Sequence, residues 1–162
     1  MFKLNENMQG LEIKPYALCD REGCINAFKT NVPKYFTLDE IKQFEEWLDY
    51  LRSASSDDHY YVVKDNGLII GCGGFSYRKQ TKETTMTWGL IINTAHKKGY
   101  GKKLLEYRLR QISLLYPTSN ILLDTTQFSF AFFEKYGFKV VKVTKDHYAL
   151  GIDRYDMIRV PS

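Results

Sequence analysis

Residues 84–126 constrain the fold of this chain more than any other stretch. TTMTWGLII (Thr84–Ile92) reads as a strand and HKKGYGKK (His96–Lys103) as a basic, glycine-broken turn. Leu104, Leu105, Leu109, Ile112 and Leu115 then recur at helical spacing until Pro117, and ILLDTT (Ile121–Thr126) returns as a short buried strand. A strand, a helix and a strand in that order form a crossover, and a crossover joins parallel strands. The sheet must therefore contain a parallel pair, whatever surrounds it.

The flanking segments supply strands and helices of their own. LEIKPYAL (Leu11–Leu18) alternates as a strand that Pro15 confines to an edge or bend, and residues 20–31 read as a short helix or helix-like loop. Thr37 with Glu40 makes a capping box, opening a helix whose apolar face is Leu38, Ile41, Phe44, Leu48 and Leu51; SASSDD follows as a polar loop. HYYVVKD turns at Asn66-Gly67 into LIIGCGGFSY, and RKQTKE turns the chain again into the crossover strand. This predicts an antiparallel meander with one polar and one buried face. FAFFEKYG (Phe130–Gly137) reads as a helix stopped by Gly137, followed by strands at FKVVKVTK and DRYDMIRV (Asp153–Val160). The order βααβββαβαββ defines one α+β domain over residues 1–162.

Composition narrows the function. The net charge of +4 suits a small anionic ligand and is too modest to indicate nucleic acid. No run of 18 apolar residues and no basic-then-apolar leader is found, so neither membrane spanning nor export is expected and the cytoplasm is the default. Cys19, Cys24 and Cys72 lack metal-ligand spacing and read as reduced structural thiols, with no metal expected. Twelve tyrosines suggest a cleft with amphipathic walls.

Gly99 and Gly101 stand where a strand ends and an apolar helix begins, which presents free N–H groups to an anion. A charge-assisted hydrogen bond contributes roughly 1.5–3 kcal/mol and an exposed lysine roughly 0.2–1 kcal/mol. Several backbone donors therefore outweigh any one of the four lysines. A Walker loop is excluded because His96 and Lys103 occupy its glycine and Ser/Thr positions; a dinucleotide fingerprint is excluded by Leu104. Gly71, Gly73 and Gly74 fall within a strand and suggest close packing or a bulge.

With these elements in this order, the chain resembles the GNAT family of acyl-CoA-dependent N-acetyltransferases over about residues 11–160. The family's pyrophosphate loop, Q/R-x-x-G-x-G/A, is matched by HKKGYG with His96 in place of Gln or Arg. Its A-x-F-Y-x-x-x-G-F motif is matched by AFFEKYGF (Ala131–Phe138) with Phe133 where tyrosine is usual. The resemblance implies a GNAT-like fold with a mixed sheet of about six to seven strands and about four helices. It also implies acetyl-CoA as co-substrate and direct transfer to a primary amine in a ternary complex. The backbone of Leu90, Ile91 and Ile92 would pair with the pantetheine arm, and an N–H near Leu90 or Ile91 would stabilise the oxyanion. The N–H groups of Lys97, Lys98, Gly99, Tyr100, Gly101 and Lys102 would hold the pyrophosphate. Lys103 and its neighbours would meet the 3′-phosphate, and Phe133 and Lys135 complete the cofactor-binding set.

The chain departs from the family where protons move. The usual base, a glutamate, falls at about Met86, and the usual acid, a tyrosine, falls at Phe133. Glu83 and Asp124 are the candidate bases, each also readable as a solvated or structural carboxylate. Tyr136 is the candidate acid, or a packing tyrosine. His96 either contacts the pyrophosphate or caps the strand-helix turn, and shows no ligand spacing with His59 or His147. Tyr35, Phe36, Phe44, Trp47 and Tyr50, with Glu45, Glu46 and Asp49, mark the acceptor side, although helical spacing puts Glu45 and Glu46 on a solvated face. The acceptor is a small-molecule or peptide amine, and the protein a monomer or homodimer. The alternative function is a non-catalytic acyl-CoA sensor or scaffold; nucleic-acid binding through the lysines is the least supported reading.

Overall fold

A computed structural model describes residues 10–162. The reading that no export leader precedes the first strand concerns residues 1–9 and lies outside them. The elements follow the expected order: β1 (Leu11–Pro15), α1 (Arg21–Lys29), α2 (Leu38–Tyr50), β2 (Asp58–Asp65), β3 (Leu68–Arg78), β4 (Glu83–Ile91), α3 (Tyr100–Leu115), β5 (Asn120–Thr125), α4 (Phe130–Glu134), β6 (Lys139–Ala149) and β7 (Ile152–Arg159). One seven-stranded sheet runs β1-β2-β3-β4-β5-β7-β6. All neighbours are antiparallel except β4 and β5, the pair that the α3 crossover joins.

Local chemistry explains the boundaries. Pro15 ends the edge strand β1, where its missing N–H costs no ladder bond. The Glu40 carboxylate accepts the Thr37 N–H at 3.0 Å and opens α2. Asn66 and Gly67, both at positive φ, turn β2 into β3. α4 is shorter than expected. Gly137 at φ +87° reverses the chain, its N–H bonding to Glu134 O and the Phe138 N–H to Phe133 O, so the helix closes three residues before it.

The meander differs from expectation: both of its faces are buried. Tyr60 and Val62 pack under α1 and α2 with Phe28, Phe44 and Leu48, while Tyr61 and Val63 pack against the α3 side with Leu104 and Ile112. Helices cover both faces, so β2 reads as a continuous apolar run and not as an alternation. Leu38 and Leu115, counted on apolar helix faces, are exposed because they occupy the terminal turns of α2 and α3. Cys24 and Cys72 are buried free thiols and Cys19 an exposed one.

Candidate active site

β4 and β5 pair only through Glu83–Asn120, Thr84–Ile121 and Thr85–Leu122. Beyond Thr85 the two parallel strands part. Opposite the parting, β4 also breaks register with β3: Leu90 faces Cys72 and Thr87 faces Gly74, so Trp88 and Gly89 bulge against Gly73. Trp88 has φ +36°, a conformation that costs a non-glycine residue about 1 kcal/mol or more. Side chains hold it there. The Tyr60 hydroxyl donates to Trp88 O at 2.7 Å, and Arg108 Nη2 donates to Thr87 O at 3.2 Å.

The strand then leads into the basic turn. Asn31 Nδ2 and His96 Nε2 approach Ile91 O at 2.9 and 2.8 Å. A carbonyl only accepts, so Nε2 of His96 carries its proton, and the ring bonds back to the end of β4. The Ile92 N–H is taken by Ile70 O at 2.8 Å. Of the groups expected to pair with a pantetheine arm, the Ile91 carbonyl and the Ile92 N–H are thus engaged within the protein. Leu90 and Ile91 are both buried.

Gly99, at φ +86°, is the N-cap of α3, a left-handed position that glycine adopts without penalty. Having no side chain, it leaves the helix uncapped. The Lys103 N–H reaches Gly99 O at 3.1 Å, so the N–H groups of Tyr100, Gly101 and Lys102 have no partner within the helix. A Cβ on Gly101 would meet no protein atom nearer than Ile91 Cγ1 at 3.9 Å. Packing therefore does not demand this glycine, and a helix N-terminus with free N–H groups is a favourable place for an anion. Lys97, Lys98 and Lys102 are exposed around it and Lys103 is half-buried.

The two candidate carboxylates lie at opposite ends of the β4–β5 pairing. Glu83 lies at the paired end, opposite Arg78 and Asn120, roughly 16 Å along β4 from Trp88. Asp124 lies two residues past the last β4–β5 pair, on the open part of β5. Its carboxylate accepts the Tyr148 hydroxyl and stands 3.7 Å from Arg154. Burial first, then the Asp124 carboxylate, pushes the Tyr148 phenol well up, so it remains a neutral donor at pH 7. Burial, and secondarily the charge of Asp124, raises the Glu40 carboxyl as well. Phe133 packs against Phe132 and Phe138, while Lys135 is exposed at the end of α4. The Tyr136 hydroxyl makes no hydrogen bond among the described residues; burial and then Glu106 raise its phenol.

On the acceptor side, Tyr35 stands edge-on to both His96 (5.1 Å) and Phe128 (5.9 Å), bridging the two lips of the parting. Phe28 stacks between Phe36 and Phe44, and Trp88 lies tilted against Phe28 and Phe44. Trp47 and Tyr50 instead lie towards Tyr60 and Asp58, and Asp49 pairs with Arg21 at 3.0 Å. No cluster of metal-ligating side chains occurs among the described residues. Tyr148 and Arg108 escaped the sequence reading. Arg108 did leave a trace: a cation four residues from both Leu104 and Ile112, on the buried stripe of α3.

A mixed sheet that parts between two parallel strands, with an uncapped glycine-led helix at the mouth, defines the class of acyl-group transferases the sequence resembles. Comparison with known proteins agrees. Residues 56–140 match the model of the Acetyltransferase (GNAT) domain. The chain is 26% identical over 145 residues to an N-alpha-acetyltransferase of Sulfurisphaera tokodaii, covering 81% of this chain and 79% of that one. The fold is shared with the ribosomal-protein-S18-alanine N-acetyltransferase of Escherichia coli (TM-score 0.76, 13% identity, 94% of each chain). It is shared too with an aminoglycoside 6′-N-acetyltransferase complexed with coenzyme A (TM-score 0.72, 13% identity, 92% and 96% covered). The chain belongs to the GNAT family of acetyltransferases.

Proposed function

We propose that this protein transfers an acetyl group from acetyl-CoA to a primary amine by direct attack, both reactants being held at once between β4 and β5. The observation that carries the reading is the uncapped N-terminus of α3, with open space at Gly101, at the mouth of the parting. Bound there, acetyl-CoA supplies the activated thioester. The N–H groups of residues 97–102 hold its pyrophosphate, and Lys97, Lys98 and Lys103 screen its phosphates. Trp88 and the Tyr35–Phe128 bridge exclude water from the acceptor side.

Asp124 serves as base. The ammonium first gives a proton to the Asp124 carboxylate. As the freed lone pair bonds to the acyl carbon, the C–S bond breaks and the electron pair leaves on sulfur. The second nitrogen proton passes to solvent, from which Tyr136 later regains its own. Tyr148 and Arg154 hold that carboxylate in place. Tyr136, its phenol neutral at pH 7, protonates the departing sulfur. Glu40, whose carboxyl feels the Asp124 charge, and Asp124 favour a cationic amine beside them, while Arg154 is shared between Asp124 and Asp156. Named relatives act on protein N-termini and on an aminoglycoside, so both belong in the acceptor screen. The test is thiol release from acetyl-CoA with an alanine-led peptide, spermidine and an aminoglycoside. Turnover with any of them supports transfer, whereas tight acetyl-CoA binding without turnover on the whole panel leaves the sensor alternative.

A further inference from the structure

Arg108 is a buried cation that the scheme above leaves idle. It is 5% exposed, and none of the ion pairs among the described residues includes it. Its partners are two carbonyls: Nε and Nη2 donate to Gly74 O at 3.0 and 2.7 Å, and Nη2 also donates to Thr87 O. These two residues face each other at one end of the β4 bulge. Burial lowers its pKa to about 10, so it is still charged at neutral pH.

The sheet is cut to admit it. A Cβ on Gly89 would lie 2.6 Å from Nη1, and one on Gly73 3.3 Å from Cζ. Nη1 has no hydrogen bond among the described residues, and Thr87 Oγ1, on the same bulge, is buried without a partner. Packing alone calls for an apolar residue here, as at Leu104 and Ile112 one turn either side. Tying down a carbonyl does not need a charge either, since the neutral Tyr60 does so for Trp88. A buried charge without a counter-ion is costly to keep. The surplus in this arrangement is positive charge, placed where the two strands part.

We propose that Arg108 is a positioning residue for acyl transfer, a fixed cation that locks the β4 bulge and offsets the negative charge the reaction develops there. The inference rests on the acetyl-transfer reading. As the amine nitrogen attacks, charge builds on the acyl oxygen and then leaves on sulfur, and Phe133 offers no hydroxyl to meet it. Arg108 answers in two ways. Its charge acts through the low-dielectric interior. Its hydrogen bond to Thr87 O also fixes the bulge that precedes Leu90 and Ile91, where the oxyanion donor is expected.

The test compares Arg108→Gln and Arg108→Lys with wild type in three readouts: thermal midpoint, acetyl-CoA affinity by titration, and kcat and KM with the best amine of the panel. Arg108→Gln should lower kcat by about 10- to 100-fold while acetyl-CoA affinity and amine KM stay within about threefold. Arg108→Lys, keeping the charge without the fork, should retain clearly more kcat than Gln. Equal kcat loss in both variants, or affinity and kcat falling together with the midpoint, overturns the proposal and leaves a structural clamp. If Arg108→Gln does not fold, the Lys variant decides: a kcat within about tenfold of wild type supports the charge role and a larger loss overturns it. A wild type that binds acetyl-CoA but turns over no amine overturns the transfer reading and this inference together. An active wild type with an unimpaired Arg108→Gln overturns this inference alone.

Discussion

At the Glu83 end, β4 and β5 bond to each other and bury a Thr84–Ser119 hydroxyl pair 2.8 Å apart. At the Ile91 end the same two strands share no bond, and β4 carbonyls are taken by side chains of other elements. Asn31 and His96 hold Ile91 O, Tyr60 holds Trp88 O, and Arg108 holds Thr87 O. The closed end satisfies its backbone within the sheet; the open end does so with borrowed donors and keeps space between the strands. Donors aimed at carbonyls hold a split sheet open without leaving its backbone unpaired. Residues at the two ends should therefore fail differently, the closed end in stability and the open end in binding and turnover.

The largest effect should come from Asp124→Asn, which removes the proposed base on the open strand. A kcat loss of about 10²- to 10³-fold with acetyl-CoA affinity nearly unchanged is expected in steady-state assays. Gly101→Glu should weaken acetyl-CoA binding about 100-fold, or about 2.7 kcal/mol, in a direct titration. The fold should not suffer, because an acidic side chain in the first turn of a helix is favourable and the site has room. At the closed end, Thr84→Val should lower unfolding stability by about 1 kcal/mol in denaturant melts and leave kcat per folded molecule alone.

Glu40 sharpens the contrast through pH. Its carboxyl is raised in the fold, so the native state binds the proton more tightly than the unfolded chain. Its contribution is full below the unfolded value and is lost as pH rises through the folded one. Stability measured across that window should decline in wild type, and more weakly in Glu40→Gln. The smallest effect belongs to Glu83→Gln, with stability within about 0.5 kcal/mol and kcat within about twofold of wild type. A large kcat loss there would break the comparison and return the base to the closed end.

Local signals and the parallel pair forced by the crossover are legible in the sequence, while side-chain contacts between distant elements are not. The Thr37–Glu40 capping box, the Asn66-Gly67 turn, the Gly137 stop and the glycine-led start of α3 each depend on a few neighbouring residues. All are found in the fold. The meander's second buried face was missed because an apolar run such as Tyr60–Val63 does not say which helices will lie above and below it. Tyr148 and Asp124 are 24 residues apart and meet only through the register of β5, β7 and β6. Arg108 interrupts the apolar stripe of α3 visibly, but its meaning needs Gly73 and Gly89 from two other strands. The position of Glu83 likewise depended on where β4 and β5 stop pairing, which no local pattern records.

The open end is tested most directly by heating the wild-type protein with acetyl-CoA at about 100 times a dissociation constant of about 10 μM, with ATP and NADPH as phosphate controls. A backbone cradle that recognises the whole cofactor predicts about 2.7 kcal/mol of added stability, a midpoint rise of roughly 5–11 °C, with acetyl-CoA alone. Equal shifts with all three would reduce the α3 N-terminus to a general anion site, and no shift with any would contradict the account of the parted strands.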